Sequence, residues 1–213
     1  MDIKGIIFDL DGVLVFTDKF HYQAWKTIAD DMGIYFDRKI NNRLRGVSRM
    51  ESLDIILERY EGAALTEEEK RALAEKKNGI YRELLKTMIP SDVSPEVRNT
   101  LNELHKAGFK LAVGSSSKNA RFILEKVNLT AAFDAISDGT NITRSKPDPE
   151  VFQKAAEYLE LKPEQCAVVE DAEAGVDAAK AGQMLAVGIG EAATYEKTDI
   201  GIKEFSDLLK ILK

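Results

Sequence analysis

Two carboxylates stand two residues apart at the end of an apolar run, in Phe8-Asp9-Leu10-Asp11-Gly12-Val13. If residues 4–8 form a strand, side-chain alternation puts Asp9 and Asp11 on one face and turns Leu10 to the other. Anions this close repel each other, and a divalent cation held by carboxylate and backbone oxygens would offset that repulsion. Asp9 is then available as a nucleophile, with Asp11 beside it to donate and accept a proton. Gly12 allows the chain to turn sharply as the strand ends, as at the carboxyl edge of a parallel sheet, where α/β folds bind ligands. An Asp-x-Asp after an apolar run is also an ordinary turn with solvated side chains, so this pair alone does not separate a site from a bend.

Three later patches supply what such chemistry would need. Gly114-Ser115-Ser116-Ser117-Lys118-Asn119 offers hydroxyls and free backbone amides at a helix start, which can cradle a phosphate or simply cap the helix. Ser145-Lys146-Pro147-Asp148-Pro149 places one lysine in a proline-stiffened loop, although most lysines only solvate a surface. Val168-Val169-Glu170-Asp171 closes an apolar run with two acids, a pattern that helix starts also favour for dipole reasons. Together they form a coherent set. Asp9, Asp11, Glu170 and Asp171 could hold a hard cation, while Ser115 and Lys146 hold phosphoryl oxygens. Nearby positive charge is required, because two close unit charges repel by several kcal/mol at an intermediate dielectric, about 4 kcal/mol at 4 Å.

These patches must be positioned by a regular frame. Apolar or β-branched runs predict strands at 4–8, 110–114, 135–137, 166–170 and 184–189, with helices starting near Pro95, Lys118, Pro149 and Ala172 and a last one over 204–212. Such alternation signals a parallel sheet. Between the first two strands the pattern is helical throughout, over 17–33, 37–44, 48–60 and 66–88, with Thr66 and Glu69 in capping-box spacing. The expected fold class is therefore α/β, a Rossmann-like parallel-sheet core with helices on both faces and an inserted all-helical cap domain. Residues 1–15 with 92–213 would form the core domain and 16–91 the cap, with links near Val15-Phe16 and Ile89-Ser91 placed to act as a hinge.

Composition narrows the function classes. A chain of 213 residues with 44% apolar residues can build a real core. Its formal charge of −6 argues against nucleic acid or an anionic membrane as partner. Phosphate substrates stay open, since charges beyond about 8 Å are screened at physiological salt and local cations can govern a site. No apolar run approaches the roughly 20 residues of a membrane span, and no secretory h-region is evident, so a cytoplasmic location is expected. The single cysteine, Cys166, lies within an apolar run and is expected to pack in the core. A monomer is the default expectation.

The order Asp9-Leu10-Asp11-Gly12, Ser115, Lys146-Pro147, Glu170-Asp171 resembles the four motifs of the haloacid dehalogenase superfamily of phosphotransferases. The helical insertion is similar to the cap of its phosphatase and mutase branch. The resemblance extends to His21, Trp25, the run Leu44-Arg45-Gly46-Val47-Ser48-Arg49 with Ser52, and Lys77-Asn78.

It implies a Mg²⁺-dependent two-step exchange in which Asp9 is the aspartyl-phosphate nucleophile and Asp11 the general acid/base. β-D-glucose 1-phosphate would become glucose 6-phosphate through β-D-glucose 1,6-bisphosphate. Ser115 and Lys146 join the catalytic set, and Thr17 and His21 would help Asp11 into its working position. Arg49 would grip the phosphate that is not reacting. Arg45, Gly46, Val47, Ser48, Ser52, Lys77, Asn78, Ser116, Ser117, Lys118 and Asn119 would bind the sugar phosphate. Without the resemblance, Gly46 to Arg49 also reads as a helix-to-helix turn capped by Ser48, and His21 with Trp25 as a packed pair. Phe16 stands where the pattern has an acid, and Arg45 where it has lysine. A sugar-phosphate phosphatase and a non-catalytic metal- or nucleotide-binding module are the alternatives.

Overall fold

The computed structural model describes residues 2–44 and 47–212. Chain order begins with strand β1 (Gly5–Phe8), followed by helices α1 (Asp18–Asp31), α2 (Arg38–Asn42), α3 (Arg49–Leu57) and α4 (Glu67–Leu85). Helix α5 (Pro95–Lys106) then leads to β2 (Lys110–Gly114), α6 (Ala120–Lys126), β3 (Ala135–Ser137), α7 (Glu150–Tyr158) and β4 (Cys166–Glu170). The chain ends with α8 (Glu173–Ala181), β5 (Leu185–Gly188), β6 (Ile200–Gly201) and α9 (Leu208–Ile211).

The six strands form one parallel sheet in the order β3-β2-β1-β4-β5-β6. The α/β reading is thus borne out, with helices packed around the sheet. Strands β1 and β4 are buried along their whole length, which explains why they read as unbroken apolar runs instead of alternating ones. Ile7, Ala112, Val168, Phe152 and Val176 share one core cluster, so β1, β2 and β4 are clamped by α7 and α8. On the other side Phe8 stacks on Phe205 at 5.6 Å and meets Phe133 edge-on at 6.1 Å. Cys166 is buried in this core as expected.

Strand β6 was not expected. It is only two residues long, too short for any periodicity to appear in the sequence. The last helix is also shorter than anticipated, because a 3-10 turn at Phe205–Asp207 takes up the start of the 204–212 segment.

Two compact units divide the chain, residues 1–16 with 88–213 and residues 17–87. The second has its own core of Trp25, Ile28, Ala29, Phe36, Leu53, Ile56 and Ala74. Its helices start on local signals: Thr66 and Glu69 form the anticipated capping box, and Ser48 with Glu51 forms another. Gly79 lies exposed inside α4, and a Cβ there would meet nothing within 4 Å. Gly79→Ala is accordingly expected to stabilise the helical unit by about 0.5–1 kcal/mol, through the helix propensity of alanine and a less flexible unfolded chain. A urea melt followed by circular dichroism reads this directly, and an unchanged or lowered midpoint would contradict it.

Candidate active site

Strand order reverses direction at the β1–β4 pair, and in parallel α/β sheets the loops leaving such a pair diverge and open a crevice. Pairing of Phe8 with Val169 places the next residues, Asp9 and Glu170, side by side at the carboxyl ends of the strands. The amide of Asp9 still donates to the Val169 carbonyl at 3.0 Å, so its backbone is fixed by the sheet itself. Phe8 also pairs with Val113, which brings Ser115 to the same edge two residues further on. Leu10 is fully buried, as alternation required, and Asp11 is half-buried.

Asp9, Glu170 and Asp171 each present a carboxylate oxygen, and these three atoms lie within 4.8 Å of one another. Asp11, the fourth acid expected at this centre, lies two residues beyond Asp9 on the same loop. It stands at a turn, after the last residue that the sheet holds in register. Into the trio reaches Lys146, 2% exposed, whose Nζ donates to Asp9 Oδ1 at 2.5 Å and also to Glu170 Oε1. Glu170 Oε2 accepts from the amides of Asp171 and Ala172 at 3.0 and 3.1 Å. Burial disfavours the Lys146 ammonium, yet Asp9 and Glu170 more than compensate and raise it above the ordinary lysine range. The two carboxylates thus favour the charged form of Lys146. Burial pushes the Glu170 carboxyl up to about 7; Lys146 opposes the rise and Asp9 adds to it.

With all three carboxyls ionised, one ammonium leaves a deficit of two positive charges in a largely buried volume. A divalent cation with a preference for oxygen ligands fits that donor set and that deficit. Two glycines leave space for the carboxylates. A Cβ on Gly12, whose φ is +89°, would fall 2.0 Å from Asp171 Oδ2, and one on Gly175 would fall 2.0 Å from Glu170 Oε1. Neither packing role was read from the sequence, where Gly12 registered only as a turn former.

The Lys146 loop is fastened by Glu150, which sequence reasoning also missed. Its Oε2 accepts from the Thr143 amide and hydroxyl at 3.0 and 2.9 Å and from the Arg144 amide at 2.7 Å. An acid at the first position of a helix reads as a dipole effect; nothing local announced that it would bind backwards onto the preceding loop. Phe152 lies beneath Lys146, its ring centroid 4.6 Å from Nζ.

Ser115 is buried and its Oγ accepts from the Ser117 amide at 3.2 Å, while Ser117 Oγ accepts from the Asn119 amide at the same distance. Buried Ser116 Oγ has no hydrogen-bond partner among the described residues. Lys118 is exposed and Asn119 buried. The Ser116 hydroxyl, two residues before exposed Lys118, has a hydrogen bond left to give, which suits an anionic oxygen.

In the helical unit, Thr17, His21, Ser52, Lys77 and Asn78 lie on α1, α3, α4 or the residue before α1. His21 Nδ1 is 2.9 Å from Lys77 Nζ, and Tyr81 donates to Thr17 Oγ1 at 3.0 Å. His21 is held well below the usual histidine range by burial, then by Lys77 and Arg49. Arg49 pairs with Glu75 at 2.6 Å. Ser48 Oγ is taken up in its capping box, and Val47 is half-buried beside it. Arg45 and Gly46 lie outside the described residues. Phe16 is 71% exposed, so its apolar ring is not part of a core.

A buried, lysine-bridged acidic centre at the switch point of a parallel sheet is that of a phosphotransferase enzyme. The family model for haloacid dehalogenase-like hydrolases matches residues 3–183. Over 208 residues the chain is 41% identical to beta-phosphoglucomutase of Bacillus subtilis, covering 97% of this chain and 92% of that one. It is 32% identical to a phosphorylated carbohydrates phosphatase of Thermotoga maritima, over 84% and 81% of the two chains. Among solved structures, beta-phosphoglucomutase of Clostridium difficile matches with a TM-score of 0.90 and 37% identity, over 97% of this chain and 93% of that one. The chain belongs to the haloacid dehalogenase-like hydrolase family.

Two outcomes follow from the geometry. Gly175→Ala displaces Glu170 and should weaken divalent-metal binding by about 10–100-fold, the range seen when the support of a metal ligand is removed, with the far-UV spectrum retained. Calorimetric titration with wild-type affinity would refute the packing argument. Glu150 is depressed to about 2 from 4.5, chiefly by the Arg144 amide, so the stability it contributes is present above pH 4.5 and lost as pH falls toward 2. In Glu150→Gln that acid-limb loss should be smaller, and parallel pH–stability curves for the two proteins would rule this out.

Proposed function

We propose that this chain is a Mg²⁺-dependent β-phosphoglucomutase, converting β-D-glucose 1-phosphate to D-glucose 6-phosphate by way of a phosphorylated Asp9 and β-D-glucose 1,6-bisphosphate. The observation that carries the reading is Lys146 bridging Asp9 and Glu170 inside the acidic trio. Because Oδ1 of Asp9 is occupied by that ammonium, Oδ2 is the oxygen left to attack phosphorus. The bond from Asp9 to phosphorus forms as the bond to the departing sugar oxygen breaks, and Asp11 passes its proton to that oxygen. In the return step Asp11 takes the proton from the attacking sugar hydroxyl. Mg²⁺ would be held by Asp9, Glu170 and Asp171, with Asp11 beside them, and would supply the charge that lets an anionic phosphate approach an anionic aspartate.

Ser115 and Lys146 would bind the transferring phosphoryl oxygens, and Ser116, Ser117, Lys118 and Asn119 the sugar phosphate. Arg49 is assigned to the non-reacting phosphate, which a planar guanidinium can hold by two hydrogen bonds. Thr17 and His21 would support Asp11, and Ser52, Lys77 and Asn78 would face the substrate. The phosphatase reading shares the Asp9 chemistry and draws on the 32% identical phosphatase. The mutase is favoured by the higher identity to the Bacillus subtilis enzyme across nearly the whole chain.

The test incubates purified protein with Mg²⁺, β-glucose 1-phosphate and a trace of the bisphosphate. Glucose 6-phosphate should accumulate with little free phosphate, and chelating the metal should stop it; stoichiometric phosphate release would establish the phosphatase instead. Arg49→Ala should lose roughly 10–100-fold in mutase kcat/KM, as expected for a charge-assisted hydrogen-bond pair. Asp9→Asn should remain folded and show no turnover.

A further inference from the structure

Within the helical unit a lysine is buried in an unusual manner. Lys77 is 3% exposed, and its Nζ sits 5.0 Å from the ring centroid of Trp25 and 4.5 Å from that of Tyr81. An ammonium over two aromatic faces retains part of the stabilisation that water would have given it. The same Nζ lies 2.9 Å from His21 Nδ1. An ammonium has only donors, so Nδ1 accepts, and the ring proton of a neutral His21 is then on Nε2. Tyr81 also touches His21 directly, with ring centroids 4.1 Å apart, and its hydroxyl donates to Thr17 Oγ1 at 3.0 Å. Tyr81 itself is 1% exposed. One side chain of α4 thus reaches three residues that the functional reading uses.

We propose that Tyr81 is a positioning residue for the phosphoryl exchange: its ring, with that of Trp25, holds Lys77 as a charged donor that fixes the His21 tautomer, and its hydroxyl fixes Thr17. This inference rests on the functional reading only in that Thr17, His21 and Lys77 serve the reaction. Trp25 and Tyr81 themselves need not touch substrate. Local spacing supports the arrangement, since Thr17 and His21 are four apart, as are His21 and Trp25, and also Lys77 and Tyr81. The last two pairs are therefore neighbours on their helix surfaces, and Thr17 directly precedes α1, its carbonyl accepting from the His21 amide at 3.1 Å. Burial first, then the positive charges of Lys77 and Arg49, disfavour a protonated His21, in accord with a neutral ring.

Two substitutions separate the ring from the hydroxyl. Tyr81→Phe keeps the aromatic face, so the His21 signals in nitrogen-15 NMR of the full-length protein should stay those of a ring protonated on Nε2. Its mutase kcat should nevertheless fall about fivefold, the effect of losing one ordinary hydrogen bond, with KM within about twofold of wild type. Tyr81→Leu removes the face and should give a mixture of His21 tautomers. A Tyr81→Phe protein with wild-type kcat, or a wild-type His21 protonated on Nδ1, overturns the proposal. So does a Tyr81→Leu protein whose His21 spectrum is unchanged. If Tyr81→Leu does not fold, the first two readings decide. A wild-type protein with no mutase turnover would sink the functional reading alone, because the His21 spectra still report on the box.

Discussion

Charge neutrality in a small, largely dry volume is the constraint on which this molecule depends. Asp9, Glu170 and Asp171 converge at the carboxyl end of the sheet, and a carboxylate removed from water is tolerated only beside compensating charge or donors. Lys146 supplies one charge and two backbone amides serve Glu170. The remaining deficit suits a divalent ion, and the charge of that ion is what would let a phosphate approach. The centre is thus arranged for a ligand that completes it.

The sheet sets where these groups lie, and the loops set how they point. Register between β1 and β4 aligns Asp9 with Glu170 without any side-chain interaction. Orientation comes from less obvious sources: a hydrogen-bonded Glu150 that ties down residues 143 and 144, a phenyl ring beneath Lys146, and bare Cα atoms at Gly12 and Gly175. Each acts through a neighbour. A site built this way depends on groups several residues removed from those that meet the substrate.

What was legible in the sequence follows from the range of the signals. Asp9, Ser115, Lys146 and Glu170 each end a strand or sit in a loop whose residue types are locally distinctive, and the parallel α/β sheet followed from the alternation of helices with apolar runs. Capping at Thr66 is likewise a three-residue affair. Strand β6 escaped because two residues, Ile200 and Gly201, carry no period. For Asp11, alternation gives a face but not a distance. Glu150, Gly175 and Tyr81 were overlooked for a common reason: their partners are fixed by tertiary packing, and a glycine or tyrosine has no local signature that names its neighbour. Ser48 shows the converse, since the residue read both as a substrate contact and as a cap does make the capping box.

The insertion of a helical unit after β1 also bears on how the chain is made. In the finished sheet Gly5 pairs with Lys110 and Cys166, both far downstream. During synthesis the first strand therefore leaves the ribosome well before either flanking strand exists, and its apolar residues must wait without a sheet to join. The helices that follow depend on near neighbours and can collapse meanwhile. Assembly of the catalytic edge is consequently a late event, completed only once β4 has been translated, and truncated nascent chains lack it altogether.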